Sequence, residues 1–89
     1  TLFNAAIDIQ FRTNNTTKMS ISNAGKVGIG NSSPSAFLHL LAGTATANTA
    51  PLKLTSGTNL TTPENGAMEF DGTNLYFTVG GVRKTIQLL

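Results

Sequence analysis

The chain has no cysteine. That excludes a disulfide framework and any thiolate ligand or nucleophile. A small secreted domain without disulfides needs another staple, and association of copies is the usual one. Charge is scarce too: Asp, Glu, Lys and Arg are 11% of the 89 residues, six basic against four acidic, for a net charge of +2. The cations are scattered, with Arg83-Lys84 their one adjacent pair. Nucleic-acid recognition needs cations gathered on one side, so no nucleic-acid partner is expected. No apolar run reaches the roughly 18 residues that cross a bilayer, so no membrane insertion is expected. No signal peptide is legible, and the first residue is Thr1 rather than Met. The chain therefore reads as a fragment or a processed piece.

What is present favours short strands and tight turns. Leu, Ile, Val and Phe supply 23 residues, a modest core, whereas Thr, Ser and Asn supply 29. A disordered chain carries more charge and fewer β-branched and aromatic residues. Apolar residues recur with period two, the signature of half-buried strands. Ile7, Ile9 and Phe11 alternate with polar residues, as do Met19 with Ile21, Val27 with Ile29, and Leu52 with Leu54. Met68 with Phe70, then Leu75, Phe77 and Val79, then Ile86 with Leu88, continue the series.

Turn chemistry separates these runs. Residues 13–17 are a polar break, and Asn23-Ala24-Gly25 is a short turn. Asp71-Gly72-Thr73-Asn74 predicts one hairpin, and Gly80-Gly81 predicts a second. The last third thus reads as a three-stranded antiparallel meander. Residues 33–42 admit two readings, a short helix with Ser33 as N-cap and Pro34 in its first turn, or a strand with Leu38 and Leu40 inward. The small-residue stretch 42–50 reads as a linker ending at Pro51. The division expected is a β-stalk segment over residues 1–48 and a C-terminal hairpin and meander segment over 49–89.

The expected fold class is all-β, built of short strands and hairpins with little or no helix. Strands this short leave one apolar face bare and their edges unpaired. Wrapping identical chains around one axis answers both problems. The isolated monomer is therefore expected not to fold stably. Ile9, Phe11, Ile21, Val27, Ile29, Leu52, Leu54, Met68, Phe70, Phe77 and Ile86 are the residues expected to be buried.

Two stretches carry a family resemblance. Residues 23–40, with Gly25-Lys26-Val27-Gly28-Ile29-Gly30 followed by Pro34 and Leu38-His39-Leu40, resemble a G-x-V-G-I-G-T-x-x-P-x-x-x-L-H-V element. That element is found in bacteriophage tail fibres and tailspikes and in large bacterial surface proteins. Asn31 stands where the family usually has Thr. Residues 50–78, containing Thr62-Pro63-Glu64-Asn65-Gly66-Ala67 and Glu69-Phe70-Asp71-Gly72-Thr73-Asn74-Leu75-Tyr76-Phe77-Thr78, resemble a second element of the same proteins. The resemblance implies an intertwined homotrimeric β-stalk, or a triple β-helix-like fibre segment, near the end of a long fibre. It implies a virion or extracellular, cell-surface location. It also implies that in phage an intramolecular chaperone often follows and is cut off, which would place processing at Leu89. It offers no catalytic residues, and no cofactor or metal.

Each candidate site has a plainer reading. The glycines of residues 25–30 match neither dinucleotide-binding nor phosphate-loop spacing, and glycines in strands also permit bends and close approach. His39 lacks companions for a triad or a metal site. Three copies meeting on a trimer axis would make an anion or metal site, whereas the plainer role is a strand residue facing solvent or a neighbour. Glu69 and Asp71 share a parity and match in type, but not in setting, the paired carboxylates of glycoside hydrolysis; strand-face and turn roles suit them better. Asn14, Asn15, Asn31 and Asn59 head N-x-[ST] sequons of the kind chance produces in such a composition, and glycosylation is not predicted. The expected function is a structural stalk segment supporting host attachment, not an enzyme. Two alternatives stand beside it. One is a receptor-binding tip that contacts host glycan or protein through Tyr76, Asn74, Arg83 and Lys84. The other is a filament subunit that donates residues 1–12 as a strand to the next copy.

Overall fold

The computed structural model of the chain describes residues 8–89. These are all-β, with seven short strands in two small sheets and no helix among the described residues. Ile7 and the start of the proposed donor strand lie outside the described residues. The chain divides into two compact units, Thr1–Leu52 and Lys53–Leu89.

The first unit holds a four-stranded sheet in the order β1 (Asp8–Thr13), β2 (Thr16–Ser22), β3 (Val27–Ile29), β4 (Leu38–Leu40). β1 and β2 form a hairpin closed by Asn14 and Asn15, both at positive φ (51° and 60°). Two successive left-handed residues match the right-handed twist of the flanking strands, and Asn tolerates that conformation better than most residues. A bulge between Phe11 and Arg12 shifts the register beside this turn. β2 pairs antiparallel with β3 around the turn at residues 23–25, where Gly25 takes φ 84°.

β3 then pairs parallel with β4. This resolves residues 33–42 as loop and strand rather than helix. Parallel neighbours usually need a crossover of about a dozen residues or more, but here residues 30–37 make it. Gly28 permits this: a Cβ at that position would stand 2.1 Å from the Asn31 carbonyl oxygen, so the loop lies directly on the sheet.

Residues 41–67 contain no strand. The linker expected there closes on itself through hydroxyls, with the Thr44 and Thr49 side chains 2.7 Å apart and Thr49 Oγ1 donating to the Thr46 carbonyl at 2.7 Å. Leu52 and Leu54, expected in a strand, are a correction: both are exposed and outside any strand. Alternation gave them the right pattern, but a strand also needs a ladder partner, and this segment forms no ladder within the chain.

The second unit holds the expected meander, β5 (Met68–Phe70), β6 (Leu75–Val79) and β7 (Val82–Thr85). The first hairpin turns at residues 71–74, with Gly72 at φ 94°; Gly80 and Gly81 close the second at φ 61° and 77°. Ile86 lies just past β7, its N–H donating to the Leu75 carbonyl at 2.7 Å, and Leu88 is exposed.

Gly25 and Gly28 should separate in a thermal melt. Gly25→Ala meets no atom within 4 Å and carries only the left-handed backbone cost, about 1–2 kcal/mol. Gly28→Ala drives a Cβ into main-chain atoms that cannot rotate away, and should cost more, about 3 kcal/mol. Equal melting temperatures for the two variants would show that the loop does not rest on Gly28.

Candidate functional site

The registers put the side chains of each sheet into two unlike faces. In the first sheet, Ile9, Ile21, Val27 and Leu38 form one cross-strand row, and Phe11, Met19, Ile29 and Leu40 form the next row on the same side. The opposite side carries Gln10, Ser20, Gly28 and His39. In the second sheet, Met68, Phe70, Leu75, Phe77, Val79 and Val82 share one side with Lys84. Glu69, Tyr76, Thr78, Arg83 and Thr85 share the other.

In each sheet the chain covers the polar side. Over the first sheet lies the loop of residues 30–37, where Ser20 Oγ donates to the Asn31 carbonyl at 3.0 Å. The His39 ring is held in this loop: its Nδ1 accepts from the Ser35 N–H at 3.0 Å, and the Asn31 amide nitrogen stands 3.1 and 3.2 Å from its two nitrogens. Asn31 Oδ1 in turn accepts from the Ser33 N–H at 2.9 Å. His39 is thus bound into the polar face of its own chain, on the side opposite the apolar rows. The glycines of residues 25–30 turn and thin the sheet.

Over the second sheet lies a strap, residues 57–66. Its Gly57 N–H donates to the Phe70 carbonyl at 3.0 Å and its Leu60 N–H to Glu69 Oε2 at 2.6 Å. Arg83 closes the clamp, pairing with Glu69 Oε1 at 2.9 Å and donating to the Leu60 carbonyl. At the far end Asn65 Oδ1 accepts from the Gly81 N–H at 2.6 Å and the Gly66 N–H donates to the Thr78 carbonyl at 2.9 Å. Under the strap, Thr78 is 1% exposed. Its Oγ1 and the Oδ1 of Asn59 have no hydrogen-bond partner.

The consequence is inverted burial. Among the described residues the only buried polar or charged side chains are Ser20 and Thr78, and no hydrophobic side chain is buried. Phe11 is 50% exposed, Leu38 60%, Met68 50% and Val82 57%. The residues expected to be buried are therefore not buried within one chain. Those in the strands lie on the two apolar faces instead.

The carboxylates have structural work. The Leu60 N–H, then Arg83, lower the Glu69 pKa from its ordinary value. Asp71 Oδ1 accepts from the Thr73 and Asn74 N–H groups, each at 2.9 Å, and Oδ2 accepts from the Tyr76 hydroxyl at 2.8 Å. The Asn74 and Thr73 N–H groups, with help from Tyr76 and Asn59, bring Asp71 from 3.8 down to about 2. Each carboxylate is an acceptor fixed by its own neighbours, and neither is raised toward the range of a general acid. No group of three or more His, Cys, Asp or Glu side chains comes together among the described residues.

Of the proposed receptor contacts, Arg83 is engaged in the clamp and the Tyr76 hydroxyl in the turn. Asn74 lines an open cleft of about 420 Å³ with Thr73, Leu75, Thr85, Ile86, Gln87 and Leu88. The sequence did not mark this cleft, because it depends on the C-terminal segment running beside the first hairpin turn. Asn14 and Asn15 form a tight turn, and Asn31 and Asn59 serve the two polar faces.

No family model matches the chain, and no curated protein and no solved structure matches it.

The acid limb of stability should report the first hairpin turn of the second unit. A carboxylate whose folded pKa lies below its unfolded value stabilises the fold above roughly pH 4 and loses that contribution as pH falls. For Asp71 the loss spans 3.8 to about 2. Tyr76 is the one tyrosine and there is no tryptophan, so intrinsic fluorescence during acid titration reads this turn directly. Asp71→Asn should remove its share of that limb, leaving the share of Glu69, while lowering stability at neutral pH; an unchanged limb would remove Asp71 as a cause.

Proposed function

We propose that the chain is a structural segment of an extracellular fibre, a stalk of the phage tail-fibre kind assembled as a homotrimer, which supports host attachment. One observation carries this reading: the apolar face of each sheet is open while its polar face is covered by the same chain. A monomer in that state keeps its main apolar side chains in water, at about 25 cal/mol for each Å² left wet. Exposed apolar patches of this kind mark interaction surfaces. A second copy is a suited partner, because the rows of the first sheet carry no charge to repel their own image. The number three comes from the resemblance of residues 23–40 and 50–78 to fibre proteins.

Within this reading the mechanism is mechanical. Identical chains turn their open faces inward, and one chain cannot leave without rewetting its neighbours. The trimer axis is then lined by apolar rows and not by His39, which belongs to the opposite face. Strand donation is less well supported, since Asp8–Thr13 already pairs with β2 of its own chain. The receptor-binding alternative is supported by the cleft around Asn74, whose hydroxyl and amide lining suits a neutral glycan. A glycan-binding assay with Asn74→Ala distinguishes that reading from a purely supporting role.

Light scattering on the purified chain should give a closed trimer, with unfolding and dissociation coupled on dilution. Ile29→Asp places an unpaired charge on the apolar face and should abolish assembly, at a cost of several kcal/mol per chain. Thr58→Asp, at an exposed position, should assemble normally. A stably folded monomer, or normal assembly of Ile29→Asp, would refute the proposal.

A further inference from the structure

We infer that Asn65 is a deamidation site that the strap of the second unit keeps unreactive, and that its conversion proceeds from the state in which the strap has lifted. Asn65-Gly66 is the one Asn-Gly pair in the chain. Without a Cβ on Gly66, its main-chain nitrogen has open approach to the Asn65 amide carbon. In the reaction the Gly66 nitrogen gives its proton to solvent and bonds to Asn65 Cγ. The Cγ–Nδ2 bond breaks, and the nitrogen leaves as ammonia with a proton from water. Water then opens the resulting succinimide at either carbonyl, giving aspartate or isoaspartate. No oxidant or reductant is needed, and water is the sole co-reactant.

The folded geometry blocks the first step at both reacting ends. The attacking nitrogen is occupied, because the Gly66 N–H donates to the Thr78 carbonyl at 2.9 Å. The electrophile is held, because Asn65 Oδ1 accepts from the Gly81 N–H at 2.6 Å. Between them the main chain is fixed in a turn, with Gly66 at φ 81° and the Ala67 N–H donating to the Glu64 carbonyl at 3.0 Å. Attack requires Gly66 to leave Thr78 and the Asn65 side chain to swing away from Gly81. Both events amount to lifting the strap. The strap is a fitting unit for local opening, since largely exposed hydrogen bonds and one ion pair hold it.

The isoaspartate product would also make the opening irreversible. Isoaspartate inserts a methylene into the main chain next to Gly66. The lengthened residue lies inside the turn that the Ala67 N–H closes on the Glu64 carbonyl at 3.0 Å. A main chain lengthened there cannot restore that turn while Leu60 returns to Glu69 and Gly66 to Thr78 in register. Chains that open for long enough and take the isoaspartate branch thus cannot reclose.

The test is ageing of the full chain at neutral pH, folded and in urea, followed by peptide mapping for isoaspartate and for the mass gain of an amide becoming an acid. Conversion at Asn65 is expected to be at least about tenfold slower in the folded chain, in proportion to the rarity of the open state. Arg83→Gln, which removes the clamp on Leu60 and Glu69, should accelerate conversion several-fold while the β-sheet circular dichroism is kept. If that variant unfolds, the wild-type chain in graded urea gives the same reading, with conversion rising before global unfolding. Asn65→Gln should eliminate the modified peptide. Equal rates in folded and unfolded chain, no rise before global unfolding, or no conversion at Asn65 in urea would overturn the inference.

Discussion

Each sheet of this chain has its polar face covered by a connection of its own unit. A loop or strap can cover only one side of a small sheet, and here it goes where main-chain and side-chain hydrogen bonds await it. The loop of residues 30–37 finds Ser20 and His39; the strap of residues 57–66 finds Glu69, Arg83 and Thr78. Unpaired polar groups away from water are costly, so a connection laid on a polar face is held by directional bonds. The apolar faces are what remains open.

The same constraint explains why the chemistry-bearing residues are quiet. Glu69, Asp71, His39 and Arg83 all lie on the covered polar sides or in the turns that lead to them. Each is paired with a main-chain group or a neighbour a short distance away. The lowered pKa values of Glu69 and Asp71 express donors arranged around an ionised carboxylate. Such residues set where a strap rests and where a turn closes. The open apolar faces, lacking charge except for Lys84, are suited to association by burial.

Small residues make this economy of chain possible. Gly28 lets a loop cross between parallel strands in direct contact with the sheet, without the helix such a crossover usually carries. The paired left-handed residues at Asn14-Asn15 and Gly80-Gly81 close hairpins with two residues each. The loop of residues 30–37 and the strap of residues 57–66 therefore lie against strands of their own units.

Much of the strand layer was legible from the sequence. Period-two alternation marked the apolar side of most strands, and Asp71-Gly72 and Gly80-Gly81 marked the meander, because both signals are local and depend only on pleat geometry and on residues that tolerate positive φ. The residues of the carboxylate turn were legible as a turn for the same reason. Residues 33–42 were not decidable locally: helix and strand both fitted, and only the pairing of Leu38–Leu40 beside Val27–Ile29 chose strand. Leu52 and Leu54 show the converse, a correct pattern that found no ladder. Which face the connections would cover was likewise beyond the sequence. Alternation says that two faces differ, but whether a loop lies on one or the other depends on hydrogen bonds between residues far apart in the chain, such as Arg83 to Leu60 and Gly81 to Asn65, and these exist only once the sheets have formed.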